Sequence, residues 1–164
     1  MTYWRQFIKN NCCDKDFELG LIWSKENALQ QIAQEITLLI KNEDFNTLGC
    51  VETKGIIYAY AVSALCGKEI RIFRKEDKIT YTKEKYVRKF INWQNKEDGI
   101  EIEKSQISID DKVIIIDDII DTGITLTSVS SIINEANAQI VKYICLKNIS
   151  QISNIHSVPI ISLL

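Results

Sequence analysis

Four aliphatic residues in a row, Val113-Ile114-Ile115-Ile116, run directly into two adjacent carboxylates, Asp117 and Asp118. A strand that is apolar on both faces must be buried on both faces, an environment found mainly at the centre of a parallel sheet covered by helices. Asp117 and Asp118 are expected to end that strand. Beyond them Ile119-Ile120-Asp121-Thr122-Gly123-Ile124-Thr125 leads into Leu126, Val129, Ile132, Ile133 and Ala136, a helical stripe at three- and four-residue steps. Strand, turn and helix in this order point to an α/β fold. In an open sheet of that kind ligands bind beyond the carboxyl ends of the strands, where the carboxylates and the hydroxyl-bearing turn fall.

The rest of the chain continues the alternation. A helix is expected from a Ser24 cap to Lys41, with Leu29, Ile32, Ala33, Ile36, Leu39 and Ile40 on one stripe. Leu48 to Val51 reads as a strand, Glu52-Thr53-Lys54-Gly55 as a turn, and Ile56 to Leu65 as a buried helix stopped by Gly67. Further strands are expected over Glu69–Arg74, Gly99–Glu103, Ile140–Leu146 and Pro159–Leu164. Residues 75–98 are rich in Lys, Glu and Tyr without a stable period, as a mobile loop or a hairpin arm would be. Phe17, Leu19, Leu21 and Trp23 alternate as in a short strand or extended arm. The result is one domain over 1–164: an open, mainly parallel sheet flanked by helices, preceded by an arm of about 25 residues.

Composition removes several chemistries. His156 is the single histidine, so a His-ligated zinc centre, an H-E-x-x-H helix and a Ser-His-Asp relay within this chain are excluded in practice. A net charge of −2 provides no global field for gripping nucleic acid or an anionic membrane. Five cysteines, at 12, 13, 50, 66 and 145, are odd in number, form no C-x-x-C and mostly sit in apolar runs, as reduced thiols of a cytoplasmic protein do. The start lacks the apolar core of a signal peptide. The most apolar stretch, Ile56 to Cys66, is about half the length a membrane span needs.

The Asp117–Thr125 segment suits a sugar phosphate. Carboxylates accept hydrogen bonds from vicinal hydroxyls, while free N–H groups and threonine hydroxyls at a helix N-terminus suit a phosphate. Other readings fit less well. A strand that merely ends in acidic residues and turns into a helix accounts for the pattern without a ligand. Asp121-Thr122-Gly123 matches the Asp-Thr-Gly of aspartic proteases, but those are all-β and here a helix follows. The Asp-x-Asp-x-Thr of haloacid-dehalogenase phosphatases fails at Ile119, and no Walker A or G-x-G-x-x-G is present.

Val113 to Thr125 resembles the phosphoribosyl-diphosphate (PRPP) binding motif of type I phosphoribosyltransferases at nearly every position. By that resemblance Asp117 and Asp118 bind the ribose hydroxyls, and Asp121, Thr122, Gly123, Ile124 and Thr125 cradle the 5-phosphate. Asp121 also takes the place of the acid that faces the base in hypoxanthine-guanine members, implying a general base or proton acceptor. Upstream, Glu52-Thr53-Lys54-Gly55 is similar to the pyrophosphate loop of adenine members, Glu-x-Arg/Lys-Gly. Gly55 would allow close backbone approach, and Lys54 would set a cation against the diphosphate, where it counts as catalytic.

Arg74 and Lys75, with Arg71 before them, resemble the Arg-Lys that precedes the flexible catalytic loop of adenine, xanthine and orotate members; residues 76–98 would then close over the diphosphate. Lys147 sits where hypoxanthine-guanine members contact the purine's exocyclic oxygen. The first 25 residues, the hood expected to hold the base, match no base-specific motif, although Phe17 and Trp23 are aromatic candidates for stacking. The implied activity is transfer of the 5-phosphoribosyl group from PRPP to a nucleobase, a purine with adenine first, giving a nucleoside monophosphate and pyrophosphate. Hypoxanthine-guanine, xanthine and orotate specificities, and a PRPP-sensing protein without catalysis, stay open. The implied cofactor is Mg²⁺, held mainly through substrate oxygens and water near Asp117 and Asp118. A homodimer is the family's common state.

Overall fold

The computed structural model describes residues 3–11, 20–92 and 94–164. In chain order the elements are α1 (Tyr3–Asn11), α2 (Gly20–Trp23), α3 (Ala28–Ile40), β1 (Thr47–Val51), α4 (Gly55–Cys66), β2 (Glu69–Lys75), β3 (Lys85–Ile91) and β4 (Glu97–Glu103). A 3₁₀ turn (Lys104–Gln106) follows, then β5 (Lys112–Ile120), α5 (Ile124–Glu135), β6 (Gln139–Asn148), β7 (Asn154–Ile155) and β8 (Val158–Ser162). The strands form one sheet in the order β3-β4-β2-β1-β5-β6-β8-β7. Its middle, β2-β1-β5-β6-β8, is parallel, while β4 and β3 on one edge and β7 on the other are antiparallel.

β5 lies between β1 and β6 because its apolar run can be satisfied nowhere else. Val113, Ile114, Ile115 and Ile116 are each fully buried, and each such side chain contributes roughly 1.5–3 kcal/mol relative to exposure. Alternate residues feed two cores. Ile114 and Ile116 meet Ile32 and Ile36 of α3 and Tyr58 and Val62 of α4, with Trp4 and Ile22 from α1 and α2 beneath. Val113 and Ile115 meet Leu126, Val129, Ile132 and Ile133 of α5. Gly49 of β1 makes room for this packing, since a Cβ there would lie 2.4 Å from Ile115 Cδ1.

The structure departs from the sequence expectations at three places. β5 does not stop at Asp117: its pairing with β6 continues through Asp117↔Cys145, Ile119↔Lys147 and Ile120↔Asn148, so the two carboxylates stand inside the strand's final third. Ser24 does not cap α3. Its hydroxyl donates to Leu21 O at the end of α2, and α3 starts after Asn27, whose left-handed backbone breaks the chain direction. Leu21 and Trp23 belong to a helical turn rather than an alternating strand, while Phe17 and Leu19 lie outside the described residues. Of the two readings of residues 75–98, the hairpin arm is the one found, as β3 and β4. β3 is basic and β4 acidic, and the register sets Lys85 opposite Glu103 and Ile91 opposite Glu97. Buried Glu101 accepts from Lys85 Nζ at 2.7 Å and from the Ile79 N–H at 2.6 Å, and Tyr86 and Phe90 pack against the α5 core.

Candidate active site

The turn between β5 and α5 forms one wall of a cavity of about 360 Å³. Asp117, Ile119, Ile120, Asp121, Thr122, Gly123, Ile124, Thr125 and Leu126 supply that wall. Gly123 occupies the N-cap of α5 with φ +75°, a left-handed conformation that glycine adopts without penalty. Its missing Cβ also clears Ile152 Cδ1, which would be only 3.0 Å away. The Ile124 N–H reaches Thr122 Oγ1 at 3.4 Å, and Thr127 Oγ1 donates to Gly123 O at 3.0 Å, fixing the turn from both ends. First-turn N–H groups of a helix lack intrahelical acceptors, so the turn offers donors and a positive dipole end.

Asp117 is buried, and its Oδ1 accepts the Asp118 N–H at 2.9 Å. Burial pushes its carboxyl well above the usual carboxylate range, and the neighbouring Asp118 charge and a hydrogen bond between the two carboxyl groups add to this. Asp118 is half-buried, and its charge also helps raise the buried Tyr58 phenol, whose main cause is desolvation. Cys50 and Cys145 flank this end of the sheet; burial first, then the Asp117 charge, pushes both thiols up to about 12.

The second wall comes from β2 and the hairpin: Lys75, Phe90, Asn92 and Asp98. Lys75 Nζ lies 2.6 Å from Asp98 Oδ2, and Asp98 Oδ1 accepts the Gly99 N–H at 2.8 Å. Desolvation opposes ionisation of Asp98, but Lys75 and Gly99 prevail and hold its carboxyl below the usual range. Glu52, just after β1, accepts the Lys75 N–H at 3.1 Å and lies 3.5 Å from Arg74 Nε. Its carboxylate therefore holds the end of β2 in place. Ile149, from the β6–β7 connection, completes the lining.

Of the residues singled out from sequence, Lys75, Asp117, Asp121, Thr122, Gly123, Ile124 and Thr125 meet in this cavity. Gly55 adjoins it: a Cβ at Gly55 would sit 3.0 Å from Asp117 Oδ1 and 3.2 Å from Ile116 O, so the Glu52–Gly55 turn abuts the carboxylate directly. Lys54 is half-buried at the N-cap of α4, and its ammonium has no partner among the described residues. Thr53 is exposed beside it, after a cis Glu52–Thr53 peptide bond. Arg74, Thr53, Lys54, Asp118 and Lys147 do not line the cavity; Lys147 stands on β6 opposite Ile119. Arg71 is drawn to Asp111 and Glu69. Trp23 donates to the Tyr58 hydroxyl at 2.9 Å and lines a different cavity, of about 440 Å³, between α3 and α4. Stacking on a base in the β5–α5 cavity is therefore not open to Trp23, and Phe17 lies outside the described residues.

Comparison with known proteins accounts for this combination of turn and sheet. Residues 24–151 match the phosphoribosyl transferase domain, a span that includes both loops and the hairpin. The chain belongs to the phosphoribosyl transferase family. Among relatives of this family, an adenine phosphoribosyltransferase of Pelagibacter ubique is 30% identical over 121 residues, covering 72% of this chain and 66% of that one. A xanthine phosphoribosyltransferase of Brevibacillus brevis is 28% identical over 112 residues, covering 68% of this chain and 57% of that protein. The adenine phosphoribosyltransferase of Saccharomyces cerevisiae, solved with adenine and an iminoaltritol bisphosphate, superposes with a TM-score of 0.82 at 18% identity over the whole of both chains. That of Thermoanaerobacter pseudethanolicus also gives 0.82, at 17% identity, over 90% of this chain and 86% of its own. These likenesses show the phosphoribosyl transferase fold.

Sequence reasoning missed Asp98, Phe90, Asn92 and Ile149. Phe90 had a signal, since Tyr86, Arg88 and Phe90 alternate along β3. Asp98 had none, because its partner Lys75 is 23 residues away on another strand.

Proposed function

We propose that the protein transfers the 5-phosphoribosyl group of PRPP to a purine, adenine first, releasing pyrophosphate. The observation that carries this reading is the meeting, in one cavity, of the buried Asp117 carboxyl with the Asp121–Thr125 turn at the start of α5 and with Lys75. The ribose hydroxyls would donate to Asp117 and Asp118, and the 5-phosphate would take the N–H and hydroxyl donors of Thr122 to Thr125. On this reading Lys54, next to Gly55 in the chain, and Lys75, on the cavity wall, would meet the diphosphate. In the reaction the bond from ribose C1 to diphosphate oxygen breaks, a base nitrogen bonds to C1, and the nitrogen's proton leaves. Asp121, exposed at the cavity and 3.4 Å from Ser150 Oγ, would be the carboxylate that accepts it. Charge on the departing diphosphate would be matched by Lys54 and Lys75 from a preorganised frame.

The donor set fits a magnesium ion accompanying the substrate. Asp98, Asp117 and Asp121 surround the cavity against Lys75, an excess of hard oxygen anions in a site read as binding a polyanion. No group of three or more side chains among the described residues is arranged to hold a metal alone. Phosphate oxygens and water would supply the remaining ligands, with Asp117 and Asp118 nearest. Such an ion, when bound, neutralises negative charge on the diphosphate.

Adenine leads because adenine phosphoribosyltransferases recur among the relatives, and xanthine enzymes among them make xanthine the second base to try. Whether Lys147 meets the purine's exocyclic group is tested by its effect on the choice between the two bases. We further propose a cytoplasmic homodimer, organised as one domain with residues 1–25 as hood and 76–98 as the closing segment. α4 carries no charged residue along Gly55–Cys66 yet leaves Tyr60 and Leu65 exposed, a face suited to a second copy. No helix among the described residues is long and apolar enough to cross a membrane.

The deciding assay incubates purified protein with Mg²⁺, PRPP and each of adenine, hypoxanthine, guanine, xanthine, orotate and uracil while pyrophosphate release is followed. Release with a purine is expected. PRPP binding without turnover on any base refutes the transferase reading.

A further inference from the structure

Among the described residues lining the cavity, Lys75 is the one cation, and it is already engaged: its ammonium lies 2.6 Å from Asp98 Oδ2. Asp98 stands opposite Phe90 next to the Ile91–Glu97 pair that closes the hairpin's turn, on the stretch of β4 that joins β2: Lys75 pairs with Ile100 and Arg74 with Glu101, and the Glu76 N–H donates to Gly99 O at 2.9 Å. Its other oxygen is pinned by the Gly99 N–H, and a side chain at Gly99 would strike Glu76 Oε2 at 2.6 Å, so this stretch of backbone is tightly placed. The carboxylate is therefore held at a set position while both partners keep contact with solvent, at 41% exposure for the Lys75 side chain and 24% for that of Asp98.

We infer that Asp98 is a stand-in anion: it holds Lys75 at the cavity wall when the site is empty, and the diphosphate of the donor takes Lys75 from it. This inference rests on the phosphoribosyl reading of the cavity. The exchange is feasible because a half-exposed single ion pair holds weakly, whereas a diphosphate offers several charged oxygens to the same ammonium. When pyrophosphate is the product, the same carboxylate reclaims Lys75 and so favours its departure. Asp98 is a positioning residue here, acting on the substrate through Lys75 and making no bond to it.

The groups that bear on Lys75 are few. Asp98 touches it; Asp117 faces it across the cavity, where the ammonium charge pulls the Asp117 carboxyl down against the larger effect of burial. Glu52 is bound to the Lys75 backbone N–H rather than to the ammonium. Removing the Asp98 charge should therefore free Lys75 without disturbing the strand end that carries it.

The test is titration calorimetry of pyrophosphate, PRPP and ribose 5-phosphate, each with Mg²⁺, into the full-length wild type, Asp98→Asn, Lys75→Met and the double variant, with circular dichroism to verify folding. Asp98→Asn is expected to bind pyrophosphate and PRPP roughly two- to five-fold more tightly, the scale of one partly exposed ion pair removed. In steady-state kinetics the KM for PRPP should fall, and kcat should fall with it where pyrophosphate release limits turnover. In the Lys75→Met background the gain should vanish. No gain in Asp98→Asn, or an equal gain without Lys75, overturns the exchange, the latter because Asp98 would then act only as bulk negative charge. A wild type that binds neither ribose 5-phosphate nor PRPP refutes the phosphoribosyl reading itself and this inference with it.

Discussion

Replacing Asp117 by Asn should make the unliganded protein more stable while removing its hold on ribose. The side chain is buried inside β5, its Oδ1 takes one backbone N–H, and its neighbour is another carboxyl group. The one cation on the cavity wall is committed to Asp98. Ionised Asp117 is thus a desolvated charge with incomplete compensation, which is why burial, followed by Asp118, raises its pKa. The sign follows directly. Between the ordinary carboxylate pKa and the raised folded value, the native state binds a proton that the unfolded state does not, so stability falls as pH rises through that window. Asn keeps an oxygen for the Asp118 N–H, offers an N–H to the Asp118 carboxylate and carries no charge. A buried polar group left without full compensation costs about 1–3 kcal/mol, and in a domain of this size each kcal/mol moves Tm by about 2–4 °C. Asp117→Asn should therefore melt about 2–12 °C above wild type at pH 8, with the gap closing toward pH 4 as the wild-type carboxyl becomes protonated in both states. Addition of PRPP and Mg²⁺ should raise the wild-type Tm and leave the variant's unchanged, because an amide replaces a charged acceptor of two hydroxyls. The assay is scanning calorimetry at both pH values, with and without PRPP. A variant less stable than wild type at every pH refutes the uncompensated-charge argument, and a variant still stabilised by PRPP refutes the ribose assignment.

Three further outcomes are expected. Gly55→Ala would press a methyl against Asp117 Oδ1 and Ile116 O, destabilising by about 1–3 kcal/mol as overpacking does and raising the KM for PRPP. Gly67→Ala, at φ +69° with nothing within 4 Å, should cost about 1 kcal/mol and leave KM alone; urea unfolding with steady-state kinetics separates the two. Glu101→Ala should destabilise by about 3 kcal/mol, the lower end for a broken buried pair because Lys85 keeps some solvent contact, with hydrogen exchange loosened first across β3 and β4. Desolvation works against ionisation of Glu101, but Lys85 and the Ile79 N–H hold its pKa below the usual range. In wild type this contribution is therefore present above the ordinary carboxylate pKa and lost as pH falls through the lowered one. Cys50 and Cys145, whose thiols burial pushes up to about 12, should resist iodoacetamide at pH 8 in the native state, while the half-buried Cys66 is alkylated ahead of both; mass spectrometry of peptides reads the order of the three.

The part of the site legible in the sequence is the part built from contiguous residues. Val113–Ile116 can be buried only at a sheet centre, and Leu126, Val129, Ile132 and Ile133 can only be the inner face of a covering helix, so the turn between them has one place to go. What lay beyond reading was set by partners distant in the chain. β5 runs on past Asp117 because Cys145, Lys147 and Asn148 offer a ladder, and no local signal announces that extension. The hairpin is held by Glu101 against Lys85 and Ile79, and by Tyr86 and Phe90 on the α5 core, contacts between residues far apart in the chain.

This division has a chemical consequence. The half of the site proposed to take ribose and 5-phosphate rests on one strand–turn–helix unit whose geometry is set by the central core, so changes there should act as near-complete losses of binding. The half proposed to take the diphosphate is assembled from the Glu52–Gly55 turn, the end of β2 and the start of β4, joined by Glu52 to Lys75 and by Lys75 to Asp98. Each of those links is a partly exposed polar contact of modest strength. Substitutions in that half should act in graded steps, through KM and product release, because no single one of them holds the leaving group alone.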